Sequence, residues 1–329
     1  DRMETLLSVK DLYVNYNTDE AVVHALNGFS LDVYKGETLG LVGETGAGKT
    51  TMCLSVLRLL PDEVGEIVSG EIHYRDIDIL AAPKDQMRSL RGAEISMIFQ
   101  DPMTSLNPIM KVGDQIKEVL DLHFPEMSER EKNARVDSTL QLVGIAPERK
   151  DQYPHQFSGG MKQRVVIAMA LVSEPKLMLA DEPTTALDVT IQAQILALMK
   201  ELKHKFDSAM VLVTHDLGIV AEFCDRVAVV YAGAVIEEGE IEQVFTRTCN
   251  HPYTEGLFRC IPDLTSTAKR LTPIPGYMVD PSHLPEGCKF ANRCPHCESR
   301  CKETEPPMRE VEPGHRIKCW RVMEGGADG

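Results

Sequence analysis

No run of this 329-residue chain approaches the roughly eighteen consecutive apolar residues that a membrane-spanning helix needs. Val165 to Val172 is among the longest such runs and is far too short. Basic charge is also scarce: 35 Lys and Arg stand against 50 Asp and Glu, a net charge of −15. That balance argues against a protein that lives on nucleic acid, although a local basic patch would not show in the sum. The N-terminal residues lack the basic-then-apolar pattern of a secretion signal, so export is not expected. Internal repeats and low-complexity runs are missing too. What remains is 43% hydrophobic and 26% charged, the composition of a soluble globular protein. Its length suits one large domain with an appendage, or two domains. Cysteine is not scarce: there are nine, and five crowd between Cys288 and Cys319. In a cytosolic chain such crowding suggests metal rather than disulfides.

The chemistry concentrates in LGLVGETGAGKTTMCLSVL, from Leu39 to Leu57. It reads as a short apolar strand, a glycine-rich turn from Gly43 to Gly48 and a helix from Lys49. The spacing of Gly43, Gly48, Lys49 and Thr50 is that of a phosphate loop. Phosphate oxygens need several N–H donors converging on one point, and Gly43, Gly46 and Gly48 let the backbone curl that tightly. The positive end of the following helix then faces the anion. Lys49 can reach the β- and γ-phosphates, and the Thr50 hydroxyl can ligate Mg²⁺. An ordinary glycine turn before a core helix is the alternative, and the strand–turn–helix context disfavours it.

Elsewhere the pattern is β-like from Leu6 to Val33, with Tyr16 just before a polar turn; it can stack on a purine or simply end a strand. Gly70 to Tyr74 and Ile95 to Phe99 are short strand candidates, the second leading into Gln100-Asp101-Pro102. Val112 to Val143 has a helical pattern, with Ser128 and Glu131 spaced like a capping box. Ser158-Gly159-Gly160-Met161 opens an apolar helix whose first N–H groups are left uncovered, a second anion-seeking helix start. Lys176 to Asp181 is a buried-strand pattern ending in two acids, Asp181 and Glu182. Such a pair suits one role near Mg²⁺ and one polarising an attacking water, or else two salt-bridged loop acids. Met210 to Val213 is another core strand, followed by Thr214-His215-Asp216; Val227 to Val230 and Ala234 to Glu237 complete the β-rich part. From about Cys249 the prolines Pro252, Pro262, Pro273, Pro275, Pro281 and Pro285 predict irregular structure or linker.

These motifs, in this order, resemble the ATP-binding subunit of an ABC transporter over roughly residues 5 to 245. Gly43 to Thr50 matches the Walker A loop and Gln100 the Q-loop. Ser158 to Met161 matches the signature motif, with methionine where glutamine is more usual. Leu177 to Glu182 matches Walker B, Ala186-Leu187-Asp188 the D-loop, and His215 the switch histidine. The run from Ala180 to Gln194, His251-Pro252-Tyr253-Thr254 and the Cys-rich tail resemble the oligopeptide, dipeptide and nickel importers, the dipeptide systems most of all. The resemblance implies an α/β P-loop NTPase: a RecA-like core with an antiparallel β subdomain and an inserted helical subdomain, plus a small irregular C-terminal metal-cluster extension. The implied domains are 1–245, with the helical subdomain at about 101–172, and 246–329.

The resemblance also implies roles. ATP would be held by Tyr16 as adenine stacker and by Gly43, Glu44, Thr45, Gly46, Ala47, Gly48, Lys49, Thr50 and Thr51. Mg²⁺ would be held through Thr50, Gln100 and, by way of water, Asp181. Glu182 would be general base and His215 the γ-phosphate sensor. Ser158, Gly159, Gly160 and Met161 would complete the ATP site of a second, paralogous ATPase subunit. Two membrane permease subunits would dock near Gln100 to Met110 at the cytoplasmic face, served indirectly by an extracytoplasmic solute-binding protein. The family pattern places a [4Fe-4S] cluster on Cys288, Cys294, Cys301 and Cys319. Cys297 departs from that pattern, and with Cys294 it forms a C-x-x-C that could recruit zinc or act as an alternate ligand. Cys53, Cys224, Cys249 and Cys260 read as ordinary thiols. Against an ABC ATPase of nucleic-acid maintenance stand the acidic charge and the modest interval between Gln100 and Ser158; Glu182 argues against an iron–sulfur regulator that binds ATP without turnover.

Overall fold

The computed structural model describes residues 4–185, 187–247, 249–260 and 273–324, so Ala186 of the expected D-loop and Pro262 lie outside the described residues. In chain order the strands are β1 (Thr5–Asn17), β2 (Val22–Tyr34), β3 (Thr38–Val42), β4 (Gly65–Tyr74), β5 (Ile77–Asp78), β6 (Ile95–Ile98), β7 (Leu177–Asp181), β8 (Ala209–Thr214), β9 (Arg226–Tyr231), β10 (Ala234–Glu240), β11 (Arg309–Glu312) and β12 (His315–Ile317). The chain divides into two compact units. One comprises residues 33–38 and 81–213 with the N-terminal residues up to Leu6; the other comprises Leu7–Asp32, Leu39–Leu80 and the chain from Thr214 onward.

The unit holding residues 81–213 is built on β6, β7 and β8, which run parallel, Ile95 beside Leu177 and Leu177 beside Ala209. Every residue of β7 and β8 is buried, so up to the closing Asp181 and Thr214 both strands are apolar rather than alternating. Helices Val112–His123, Glu129–Leu142 and Gly159–Leu171 follow β6 or precede β7. The helical pattern from Val112 to Val143 is realised as two helices. Pro125 has no N–H to continue a helix, and Phe124 before it is pushed to φ −131°. The second helix restarts at the expected capping box: Glu131 N–H donates to Ser128 Oγ (3.3 Å), and Ser128 N–H donates to Glu131 Oε2 (2.7 Å).

In the other unit, an antiparallel sheet has the order β2-β1-β4-β5. Alongside it β3 runs parallel to β9, and β9, β10, β12 and β11 continue in antiparallel succession. The extension is therefore not irregular throughout, as its prolines suggested. Helix Pro252–Phe258 starts with Pro at its first position, where no N–H is missed. Strands β11 and β12 form a hairpin across Pro313-Gly314, with Gly314 at φ +80°, the residue order a type II turn demands. Ile317 pairs with Glu237, so the hairpin lengthens the sheet begun by β3. Tyr253 and Phe290 of the extension share one buried cluster with Val42, Val229 and Tyr231. The prolines break the chain into short pieces without preventing it from packing.

Buried polar groups hold this join. Glu237, with no exposed side-chain surface, accepts from the backbone N–H of His251 (2.9 Å) and lies 2.9 Å from His315 Nε2. Burial of His251 pushes its pKa down to about 3, so the ring is neutral and its Nδ1 accepts from Tyr253 N–H (3.1 Å). Among the described residues no helix is long and apolar enough to cross a membrane.

Candidate nucleotide site

The turn after β3 has the shape a phosphate demands. Gly46 and Gly48 take φ +84° and +99°, conformations costly for any residue with a Cβ. Gly43 is required for space instead: a Cβ there would lie 2.3 Å from the Val230 carbonyl oxygen on β9. The helix Lys49–Val56 then starts with no acidic residue in its first turn, so its positive end is not neutralised from within the helix. The Lys49 ammonium donates to the carbonyls of Gly43 (2.7 Å) and Glu44 (2.9 Å), which fixes it over the loop it closes. Thr45, Gly46 and Thr50 are exposed, whereas Ala47 and Thr51 are buried. Tyr16 is half-buried at the end of β1, and its hydroxyl lies 3.2 Å from Thr51 Oγ1. That bond ties the ring to the first turn of the loop helix. His215 follows β8 and is exposed, and Asp216 caps the helix Leu217–Phe223 by accepting from Gly218 N–H (2.8 Å) and Ile219 N–H (3.3 Å).

The other unit brings together Gln100, Asp181 and Glu182 at the ends of β6 and β7. Glu182 adopts φ +43°, a left-handed conformation rarely taken by a side chain of its size, and its N–H is held by the Val213 carbonyl (3.0 Å). One carboxylate oxygen, Oε2, accepts from Gln100 Nε2 (3.0 Å) and from Thr185 Oγ1 (2.9 Å). The carboxylate is thereby aimed and held in an accepting role. Asp181 is almost fully buried. Thr50 carries a hydroxyl oxygen, and Gln100 and Asp181 carry amide and carboxylate oxygens, each a hard donor of the kind magnesium takes.

Ser158 caps the helix Gly159–Leu171 by accepting from Met161 N–H (3.4 Å). Ser158 and Gly159 are exposed, and Gly160 gives room to the next helix, because a Cβ would come 2.9 Å from Ile191 Cγ2. Met161 uses its thioether: Arg149 Nη1 donates to Met161 Sδ (3.3 Å) while its guanidinium stacks 4.5 Å over the Phe157 ring. Neither Arg149 nor the role of Gln163 was evident from the motifs. Gln163 has no exposed surface, and its amide donates to the carbonyl of Pro183, the residue after Glu182. The signature helix is thus tied to the turn that carries the acid.

The five tail cysteines separate into four and one. Cys288, Cys294, Cys301 and Cys319 line one small cavity of about 20 Å³, and Cys297 does not. The Cys297 thiol lies beside that cavity, against the Glu298 carbonyl at 3.6 Å and hydrogen-bonded to Cys301. Among the described residues no cysteine is in a disulfide. Burial pushes Cys288 and Cys294 up to about 11, so they pack as neutral, small apolar groups. Among the described residues no three His, Cys, Asp or Glu side chains are set to hold a metal ion. The metal centre expected on this tail thus finds no support among the described residues, and the cavity the four thiols share has room for about one water.

Residues 26–185 match the family model described as ABC transporter, and residues 236–301 match the one described as oligopeptide/dipeptide transporter, C-terminal region. The chain is 48% identical to the dipeptide transport ATP-binding protein DppD of Bacillus subtilis (strain 168), over 97% of this chain and 95% of the relative. It is 45% identical to the oligopeptide transport ATP-binding protein OppD of Escherichia coli (strain K12), over 98% and 94% respectively. Among solved structures it resembles the dimeric post-hydrolysis ATP-binding cassette bound to ADP and Pi, with a TM-score of 0.64 and 28% identity. That match covers 71% of this chain and 98% of the other. The loop that cradles phosphate, the paired acids and the full-length similarity agree: this chain belongs to the ABC transporter family, as an ATP-hydrolysing subunit with the C-terminal region of the oligopeptide/dipeptide transporters.

Proposed function

We propose that the chain powers uptake of di- or oligopeptides across the cytoplasmic membrane. It would work from the cytoplasmic face with two permease subunits, a second, paralogous ATPase subunit and an extracytoplasmic solute-binding protein. The observation that carries this reading is similarity along nearly the whole length to dipeptide and oligopeptide transport ATP-binding proteins, tail included. Residues 1–245 form the nucleotide-binding domain, with a helical subdomain at about 101–172, and 246–329 the extension.

The loop amides from Gly43 to Thr51 and the Lys49 ammonium bind the triphosphate of ATP, and Tyr16 stacks on the adenine. Mg²⁺, taken by Thr50, Gln100 and Asp181, supplies charge neutralisation at the phosphates. Glu182 accepts the proton of the attacking water, and Gln100 holds that carboxylate in line. His215 donates to the γ-phosphate and so reports its loss. Ser158, Gly159, Gly160 and Met161 present amides to the ATP on the second ATPase subunit, which accounts for an exposed, acid-free helix start outside the phosphate loop. ATP then holds two subunits together until hydrolysis parts them.

Vesicles carrying both permeases, both ATPases and the binding protein test the cargo. ATP should drive accumulation of a labelled dipeptide; accumulation of nickel instead would make this a metal importer. For the tail we propose a [4Fe-4S] cluster on Cys288, Cys294, Cys301 and Cys319, the four thiols that line one cavity; they would deprotonate and move apart to admit it. Its role is structural. Anaerobically purified protein should hold about four iron and four sulfide per chain and absorb near 400 nm (roughly). One zinc per chain, with a colourless spectrum, would assign the tail to zinc and to Cys297 as a ligand.

A further inference from the structure

Glu44, the second residue of the phosphate loop, has all three of its polar groups engaged, two of them by the C-terminal extension. Its carbonyl accepts from Lys49. Its N–H donates to the hydroxyl of Tyr253 (2.9 Å), a side chain with no exposed surface. Its carboxylate takes both arms of Arg293, Nη1 to Oε2 at 2.7 Å and Nη2 to Oε1 at 3.0 Å. Arg293 is itself fixed: Nε donates to the Pro275 carbonyl (3.0 Å), and the guanidinium lies 5.8 Å from the ring centres of Tyr231 and Phe290. Its side chain is 4% exposed, against 32% for that of Glu44. The residue sits on a single 3₁₀ turn, Ala291–Arg293, directly before Cys294 of the thiol cavity.

A carboxylate in a loop built to receive a polyanion is electrostatically adverse, and a free Glu44 would repel the phosphates its own loop must bind. A bidentate guanidinium both cancels that charge and fixes the loop's geometry. We propose that Arg293 is a positioning residue for the phosphate loop, a clamp from the extension that neutralises Glu44 and, with Tyr253, holds the loop in its phosphate-binding shape. The proposal rests on nucleotide binding at the Lys49 loop, and a Lys49→Ala control tests that part separately.

The measurement is the affinity of the full chain for Mg-ATP and Mg-ADP by titration calorimetry, with thermal melting of every variant alongside. Arg293→Met should weaken ATP by about tenfold and ADP by less, because the unmasked carboxylate meets more phosphate charge. Arg293→Lys keeps the charge without the fork and should lose about threefold. In a Glu44→Gln background the same Arg293→Met change should cost less than about threefold, because no charge is left unmasked. Tyr253→Phe, which removes only the hydroxyl that accepts from Glu44 N–H, should weaken ATP by about threefold with little change in melting, and it stands in should Arg293→Met fail to fold. Two results would overturn the clamp. One is ATP affinity within twofold of the parent in Arg293→Met and Tyr253→Phe while Lys49→Ala abolishes binding. The other is an equal loss from Arg293→Met with or without Glu44→Gln, which would make Arg293 a packing residue of the tail. If Lys49→Ala binds ATP normally, the nucleotide reading fails instead.

Discussion

Glu182→Gln should lower ATP turnover by about 10²- to 10⁴-fold, the range expected for loss of a general base, while Mg-ATP affinity stays within about threefold of the parent. The amide keeps the shape and still accepts from Thr185 through its oxygen, so the φ +43° turn and its bond to the Val213 carbonyl survive. What is lost is the ability to take a proton. Steady-state phosphate release and nucleotide titration separate the two effects. Turnover within a few-fold of the parent would take the base away from Glu182. Weakened binding with a proportional loss of turnover would make it a residue of the binding step.

Glu237→Ala should destabilise the protein by about 2–6 kcal/mol, about 1–3 kcal/mol for each of the two buried donors left unsatisfied. Glu237 is the acceptor on which the extension converges, serving the His251 backbone and the His315 ring, all three with almost no exposed surface. Without it both donors are stranded, and the β10–β12 join loses its polar centre. Glu237→Gln, which keeps one acceptor and the volume, should cost distinctly less. Urea unfolding followed by tryptophan emission reports it well, because Trp320, whose Nε1–H donates to the Thr304 carbonyl (3.1 Å), lies in the same extension. A loss below about 1 kcal/mol for Glu237→Ala would show that the buried carboxylate is not what fastens the tail.

The parts of this molecule that could be read in the sequence are those whose chemistry is contiguous. A phosphate loop needs its glycines, lysine and threonine within eight residues of one another, so Gly43 to Thr50 announces itself, as do Asp181 and Glu182 at the end of one buried strand. The strands from Ile95, Leu177, Met210 and Val227 were legible because buried parallel strands are apolar at every position. The capping box at Ser128 has a fixed local spacing. What escaped is non-local or short. Arg293 and Tyr253 act on Glu44 from more than 200 residues away, and nothing in their immediate sequence separates them from an ordinary tail arginine or tyrosine. The hairpin β11–β12 is too short and polar for its alternation to stand out, although Pro313-Gly314 is a turn signal that could have located it. The prolines after Cys249 pointed to an irregular tail, because they report where elements stop and not whether the pieces between them pack.

In the proposed mechanism one chain's phosphate loop and another's signature helix close on the same ATP. Glu182→Gln protein mixed with its companion ATPase subunit and saturating Mg-ATP, followed by size-exclusion chromatography with light scattering, tests it directly. A stable pair should form with ATP, fall apart on exchange into ADP, and be lost when Ser158→Arg fills the helix start. Two separate subunits at saturating Mg-ATP, or a pair indifferent to both nucleotide and Ser158, would contradict it.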